Sequence, residues 1–362
     1  MVDSAAVVES IRAVEDPSLR RPIGGLGFVE EASVSEGGGV HVGLLVPHRA
    51  WPTATLGEAI AAAAKAFEGV GEVAVDVGFM GEDRQEELAA RLKADQPGPV
   101  GGSGSRTRVI TVASGKGGVG KSSVTANLAV ALAESGHDVA VIDADVWGYS
   151  IPKMLGVEQP PTAVGQLIVP PVAHGVRSIS MDFFVAPDQA VVWRGPMLHK
   201  ALEQFLGDVL WDDPEFLLID MPPGTGDVSI SLSQFLPRAE MLVVTTPQVT
   251  AQRVAKRAAR MATQVNQEIV GVVENMSWFT GDDGKRYELF GSGGGAALAE
   301  ELEVELLGQV PLVPALRAAA DEGTPIGVAA PGSEAAAAFA AIAERIAGMR
   351  PRVRRPPELV IG

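Results

Sequence analysis

Five short apolar runs punctuate the later two-thirds of the chain: Val109 to Ala113, Val139 to Ile142, Phe216 to Ile219, Met241 to Thr245 and Ile269 to Val273. Each is brief and rich in β-branched or aliphatic residues, which reads as a strand buried on both faces. Between them lie stretches with helical spacing, such as Ser123 to Glu134. This alternation predicts an α/β domain with a mostly parallel sheet and helices on both faces, its ligand at the C-terminal strand ends. The beginning of the chain has a different rhythm. Ala5 to Val14 and Gly57 to Phe67 carry helical patterns, whereas His41 to Val46 and Val73 to Val77 alternate or run apolar. A small α+β domain over residues 1–93 is expected there.

Residues 94–107 have no apolar periodicity and are dominated by glycine, proline and serine, the composition of a flexible linker. The α/β domain then occupies 108–348 and ends in an alanine-rich helix, Glu334 to Gly348. The tail 349–362 is basic, broken by prolines and expected to be disordered.

Composition narrows the choice of partners. A chain of 362 residues with 46% apolar content is long enough for two packed domains. Its formal charge of −16 argues against a general binder of nucleic acid or anionic membrane, which needs clustered cations. No stretch approaches the roughly 18 to 20 apolar residues of a membrane span, and Met1-Val2-Asp3-Ser4 lacks the basic start of a signal peptide. A cytoplasmic protein is expected. Cysteine is absent altogether, which removes disulfides, thiolate-bound metals and thiol nucleophiles.

The strand at Val109 leads into Gly115-Lys116-Gly117-Gly118-Val119-Gly120-Lys121-Ser122, and a helix follows from Ser123. The run fits G-x-x-x-x-G-K-[ST], in which backbone N–H groups cradle phosphates, a lysine reaches the outer ones and a hydroxyl coordinates Mg²⁺. Lys121 and Ser122 take the last two roles, and the helix N-terminus beside Ser123 adds favourable charge for an anion. Lys116 is a second loop lysine. Two cations this close repel unless a polyanion lies between them. Lys116 therefore either points into water or reaches across a dimer interface to the neighbour's nucleotide.

Phe216 to Ile219 delivers Asp220 to the same sheet edge, where it would hold Mg²⁺ through water. The continuation, with Pro222, Gly224, Thr225, Gly226 and Asp227, is stiff and then flexible, which suits a segment responding to a γ-phosphate. Asp143 and Asp145 stand at i and i+2 just past another strand. Asp145 is expected to orient the attacking water, and Asp143 to support Mg²⁺ or the loop. Asn275, after the strand Ile269 to Val273, carries an amide able to read both a donor and an acceptor on adenine, although such an asparagine is commonly a turn residue.

Together, Gly115 to Ser122, Asp143 to Ser150, Val192 to Met197, Asp220 to Asp227 and Val273 to Ser277 resemble the Mrp/ApbC family, ATP-dependent iron–sulfur cluster carriers. That family belongs to the deviant-Walker-A P-loop NTPases that include MinD and ParA. The resemblance covers roughly residues 106 to 345. It implies a homodimeric Mg²⁺-dependent ATPase in which Lys116 is the trans-acting signature lysine and Asp145 the switch aspartate. It also implies iron–sulfur assembly proteins or apoprotein clients as partners. Glu15 to Leu19 and Leu26 to Val29 are similar to a small iron–sulfur-assembly domain often fused ahead of such ATPases.

One departure concerns the cargo. Family members commonly place a C-x-x-C pair after the Asn-Met-Ser segment, so that two subunits hold a [4Fe–4S] cluster. Here Trp278 to Lys285 contains no thiolate, and Ala50-Trp51-Pro52 stands where the small domain often has a cysteine before proline. The histidines, His41, His48, His137, His174 and His199, lack ligand-like spacing, and Asp282 and Asp283 suit an exposed turn. No iron–sulfur ligand is assigned. The alternatives are a nucleotide-gated adaptor carrying no cluster itself, or a MinD/ParA-like positioning ATPase.

Overall fold

The computed structural model describes the chain except residues 1, 103, 146–147, 149, 185–194, 224–226, 265–266 and 351–362. The contacts divide it into two compact units. The first comprises Met1–Pro99, Gln159–Val172 and Gln204–Asp212, and the second comprises the remaining segments.

The first unit opens with α1 (Ser4–Arg12), α2 (Ile23–Leu26), β1 (Val29–Val34), β2 (Val40–Val46), α3 (Thr53–Lys65), β3 (Val73–Phe79) and α4 (Glu82–Ala94). Asp3 caps α1 by accepting the Ala6 N–H at 3.1 Å. β2 is the central strand, antiparallel to β1 and parallel to β3. Its alternation sends Val40, Val42, Leu44 and Val46 into a core with Val7, Ile11, Phe28, Leu56 and Ile60. Asp16, fully buried, accepts from Ser18 N, Leu19 N and, at 2.8 Å, Trp51 Nε1. Burial pushes its carboxyl up, against the pull of those donors.

This core is finished by chain from far along the sequence. An antiparallel hairpin of Thr162–Val164 with Leu167–Val169 contributes Val164, Leu167 and Val169, and Leu210 joins them. Ile168 N donates to Asp208 O, and Leu210 N to Ile168 O, at 2.9 and 2.8 Å. Arg21 bonds both Asp95 and Asp212 inside the same unit.

The second unit continues the order with β4 (Arg108–Ser114), α5 (Lys121–Glu134), β5 (Val139–Asp143) and α6 (Ile151–Met154). The hairpin strands already described are β6 and β7; β8 (Val172–Ala173), β9 (Val176–Ser180), α7 (Gly195–Gly207), β10 (Phe216–Asp220) and α8 (Asp227–Phe235) follow. Next come β11 (Glu240–Thr245), α9 (Val249–Gln264), β12 (Glu268–Glu274), β13 (Phe279–Thr280), β14 (Arg286–Tyr287), α10 (Gly294–Glu301) and β15 (Leu306–Gln309). The chain closes with α11 (Pro314–Glu322), α12 (Ile326–Ala329) and α13 (Glu334–Gly348).

Eight strands form one sheet in the order β15-β12-β11-β4-β10-β5-β9-β8, and every pairing from β15 through β9 is parallel. This is the α/β sheet expected from the apolar runs. β4 lies at its centre, with β10 and then β5 beside it, so that Asp220 and Asp143 are register partners at adjacent strand ends. α5 is buried along most of its length, from Val124 to Leu132, because sheet and α13 cover it. Ser333 caps α13, and Phe339, Ile342 and Ile346 seal the core beneath it. No described helix is long and apolar enough to cross a membrane.

The divided core generates a testable expectation. Residues 1–99 contain a single tryptophan, Trp51, but lack four buried members of their unit's core. Each such side chain is worth about 1.5–3 kcal/mol on burial. The isolated fragment 1–99 is expected to melt without cooperativity and with red-shifted Trp51 fluorescence. A cooperative melt with a blue-shifted emission would contradict this.

Candidate functional site

The phosphate-loop residues line a cavity of about 370 Å³ at the C-terminal end of β4, together with Asp145, Gly148, Ser150 and Pro223. Gly118 and Gly120 adopt φ of 80° and 78°, the region that favours glycine. A Cβ on Gly120 would come 2.3 Å from Asn275 Nδ2. Asn275 itself is buried and donates from Nδ2 to the Val119 carbonyl at 2.9 Å. One of the two Nδ2 N–H donors of Asn275 thus braces the loop backbone, which leaves its second N–H and its Oδ1.

Asp220 organises the floor of the cavity. Its side chain is 0% exposed, and its Oδ2 accepts from Lys121 Nζ at 2.6 Å and from Ser122 Oγ at 2.5 Å. Oδ1 accepts from Thr125 Oγ1 at 2.8 Å. Thr125 lies one helical turn after Lys121, and sequence reasoning missed it; the i+4 spacing on the loop-facing side of α5 was the available signal. Burial raises the Asp220 carboxyl, while Lys121 and the hydroxyls pull the other way. Ser122 Oγ and Asp220 are hard oxygen donors side by side, which fits Mg²⁺.

The two aspartates after β5 part company. Asp143 is fully buried, and its Oδ2 accepts from Ser150 N, Ile151 N and Ser180 Oγ while Oδ1 accepts from Asp145 N. Burial, and then the neighbouring Asp220, push its carboxyl up to about 7. Asp143, expected to support Mg²⁺ or the loop, accepts four bonds that shape the turn carrying Asp145. Asp145 has Oδ2 3.5 Å from Lys121 Nζ and a buried Oδ1 with no partner among the described residues. Of the pair, it is the one free to face a ligand.

Lys116 is half-buried rather than loose in water, with Nζ donating to Gln248 Oε1 at 3.0 Å. Gly115, Gly117 and Ser123 take their expected positions in the loop and at the start of α5. Pro222 is the second residue after the end of β10. Gly224, Thr225, Gly226, the side chain of Asp227, residues 192–194 of the Val192 to Met197 segment and tail residues 351–362 lie outside the described residues.

The segment expected to bear cluster ligands in relatives is here a tight hairpin. Gly281 N donates to Lys285 O, Gly284 adopts φ of 73°, and Asp283 accepts from Lys285 N and Tyr287 OH. The carboxylate thus serves the turn. Trp51 is buried against Phe28 and His48 with its N–H on Asp16. The histidines are dispersed, and no group of three or more metal-ligating side chains occurs among the described residues.

Two substitutions test the bracing. Asn275→Asp removes the donor and sets a carboxylate against the Val119 carbonyl; ATP affinity, measured with a fluorescent analogue, should fall about tenfold. Thr125→Val keeps the volume but deprives buried Asp220 of a donor, and denaturant unfolding should show a loss of about 1–3 kcal/mol.

Comparison with known proteins agrees with this geometry. Residues 105–347 match the NUBPL iron-transfer P-loop NTPases, and residues 4–77 match the iron–sulfur cluster assembly proteins. The iron–sulfur cluster carrier protein of Mycobacterium tuberculosis is 46% identical over 357 residues, covering 96% of this chain and 94% of its own. A nucleotide-binding protein from Archaeoglobus fulgidus, solved in complex with ADP, superposes with a TM-score of 0.56 at 33% identity, covering 65% of this chain and 93% of its own. The cell division ATPase MinD of Pyrococcus furiosus superposes with a TM-score of 0.51 at 26% identity, over 66% of this chain and 98% of its own. With a phosphate loop braced by Asn275 and floored by Asp220, and with relatives matched along nearly its whole length, the chain belongs to the iron–sulfur cluster carrier family of P-loop NTPases.

Proposed function

We propose that this protein binds Mg²⁺–ATP in the loop cavity and hydrolyses it as a homodimer, in the service of iron–sulfur cluster delivery to apoproteins, without holding a cluster on thiolates of its own. The observation that carries the reading is the convergence of Lys121 Nζ and Ser122 Oγ on buried Asp220, at 2.6 and 2.5 Å. A cation and a hydroxyl are thereby held where phosphate and a hydrated divalent ion are to be received. The ADP of the archaeal relative supports a nucleotide in the same loop.

The residues divide the work. Backbone N–H groups of Gly118 to Lys121 and the start of α5 hold the phosphates. Lys121 exchanges the Asp220 carboxylate for phosphate oxygens on binding. Ser122 Oγ and Asp220 would hold Mg²⁺, which would supply charge neutralisation across the phosphates. Asp145, whose Oδ1 has no partner among the described residues, orients the water that attacks the γ-phosphorus as the bond to the leaving β-phosphate oxygen breaks. Asp143 keeps the Asp145 turn in shape. Lys116 acts on the nucleotide of the second copy, where its charge counts in the transition state.

The donor set does not fit a [4Fe–4S] cargo. Such clusters need thiolates or occasionally imidazoles, and the sequence has no cysteine. That observation favours a nucleotide-gated adaptor working beside a cluster-bearing partner over a carrier that binds the cluster directly.

Two experiments follow. Lys116→Ala should leave the circular dichroism and melting temperature unchanged and lower ATP turnover by about 100-fold or more; unchanged turnover would refute the trans role. Anaerobic reconstitution with iron and sulfide should leave the protein without a stoichiometric chromophore, whereas about four irons per dimer would refute the adaptor reading.

A further inference from the structure

Gln248 lies between β11 and α9, and its carbonyl accepts the Ala251 N–H at 2.9 Å as the helix begins. Its side-chain Oε1 accepts from Lys116 Nζ at 3.0 Å. Both ends of this bond are anchored: the Lys116 carbonyl takes the Ser114 hydroxyl at 3.1 Å, and Thr246 and Pro247 beside Gln248 are buried. The hold is nevertheless weaker than an ion pair. A neutral amide brings no opposite charge to the ammonium, and Gln248 directly precedes the 16-residue helix α9, whose N-terminal partial positive charge does not favour a cation. Lys121, by contrast, faces a carboxylate at 2.6 Å. One loop lysine is held by charge and the other by an amide.

We propose that Gln248 is a positioning residue that parks Lys116 on its own chain and releases it when the nucleotide of a second copy presents a phosphate. The proposal rests on the trans role given to Lys116 above. Exchanging an amide oxygen for a phosphate oxygen replaces a neutral acceptor by a charged one, so the polyanion itself drives release. A carboxylate at position 248 would compete with that phosphate, whereas an alanine would offer Lys116 nothing to leave.

The test measures the concentration of a non-hydrolysable ATP analogue that half-dimerises the full chain, by analytical ultracentrifugation. Gln248→Glu should raise that concentration about tenfold, and Gln248→Ala should lower it about threefold. In a Lys116→Ala background, Gln248→Glu should leave the affinity of the chain for the analogue unchanged, because the latch then has nothing to hold. If the glutamate weakens that affinity equally with and without Lys116, it repels the nucleotide directly and the latch is refuted. If neither substitution moves the dimerisation midpoint, the latch is likewise refuted. Absence of analogue-driven dimers in the unsubstituted chain would instead refute the trans role, and the latch with it.

Discussion

A carboxylate buried at the end of a central parallel strand is the constraint on which the rest of the site depends. Asp220 is fully enclosed, and an uncompensated charge there would cost several kcal/mol. Compensation comes from Lys121, Ser122 and Thr125, all on the first turn and a half of α5. That requirement fixes where α5 starts, and hence how the phosphate loop leaves β4. Asn275 secures the other side of the loop through Val119, and Gly120 allows the close approach because it has no Cβ. The resting loop is thus shaped by protein donors and acceptors that ligands can later replace.

Asp143 beside it has a different task. Its register with Asp220 brings two carboxylates together, and burial with that neighbour pushes its own up to about 7. Four donors from the following turn and from Ser180 converge on it. The consequence is a firmly held turn that presents Asp145, whose inner oxygen has no partner among the described residues. Two aspartates only two residues apart are therefore held in different ways.

Much of this was legible in the sequence, for identifiable reasons. The loop spacing, the apolar strands and the carboxylate after β10 are local signals, since each depends on residues adjacent in the chain. What escaped depends on three-dimensional convergence or on distant partners. Nothing within Asp143 to Ser150 announces which backbone donors will converge on the first aspartate. The brace from Asn275 to Val119 spans 156 residues of sequence and leaves no local signal. The hairpin at 162–169 carries an ordinary apolar pattern, and only packing reveals that Val164, Leu167 and Val169 complete a core that began at Val7. Trp51 looks like a substitution in a cysteine position, yet its indole satisfies a buried aspartate.

The nucleotide chemistry and the cargo thus stand on different footings. The chain belongs to a family of cluster carriers, and its loop retains the residues that the chemistry of phosphate requires. It has no thiolate for a cluster, and the hairpin in that place is closed on itself by Asp283 and Tyr287. The central claim is that Asp220 stores Lys121 and Ser122 for Mg²⁺–ATP. Calorimetric titration of ATP with and without Mg²⁺, on the unsubstituted chain and on Asp220→Asn, tests it most directly. The account predicts that Mg²⁺ tightens binding about tenfold or more in the unsubstituted chain and that this gain disappears in Asp220→Asn. An equal gain in both proteins would contradict it.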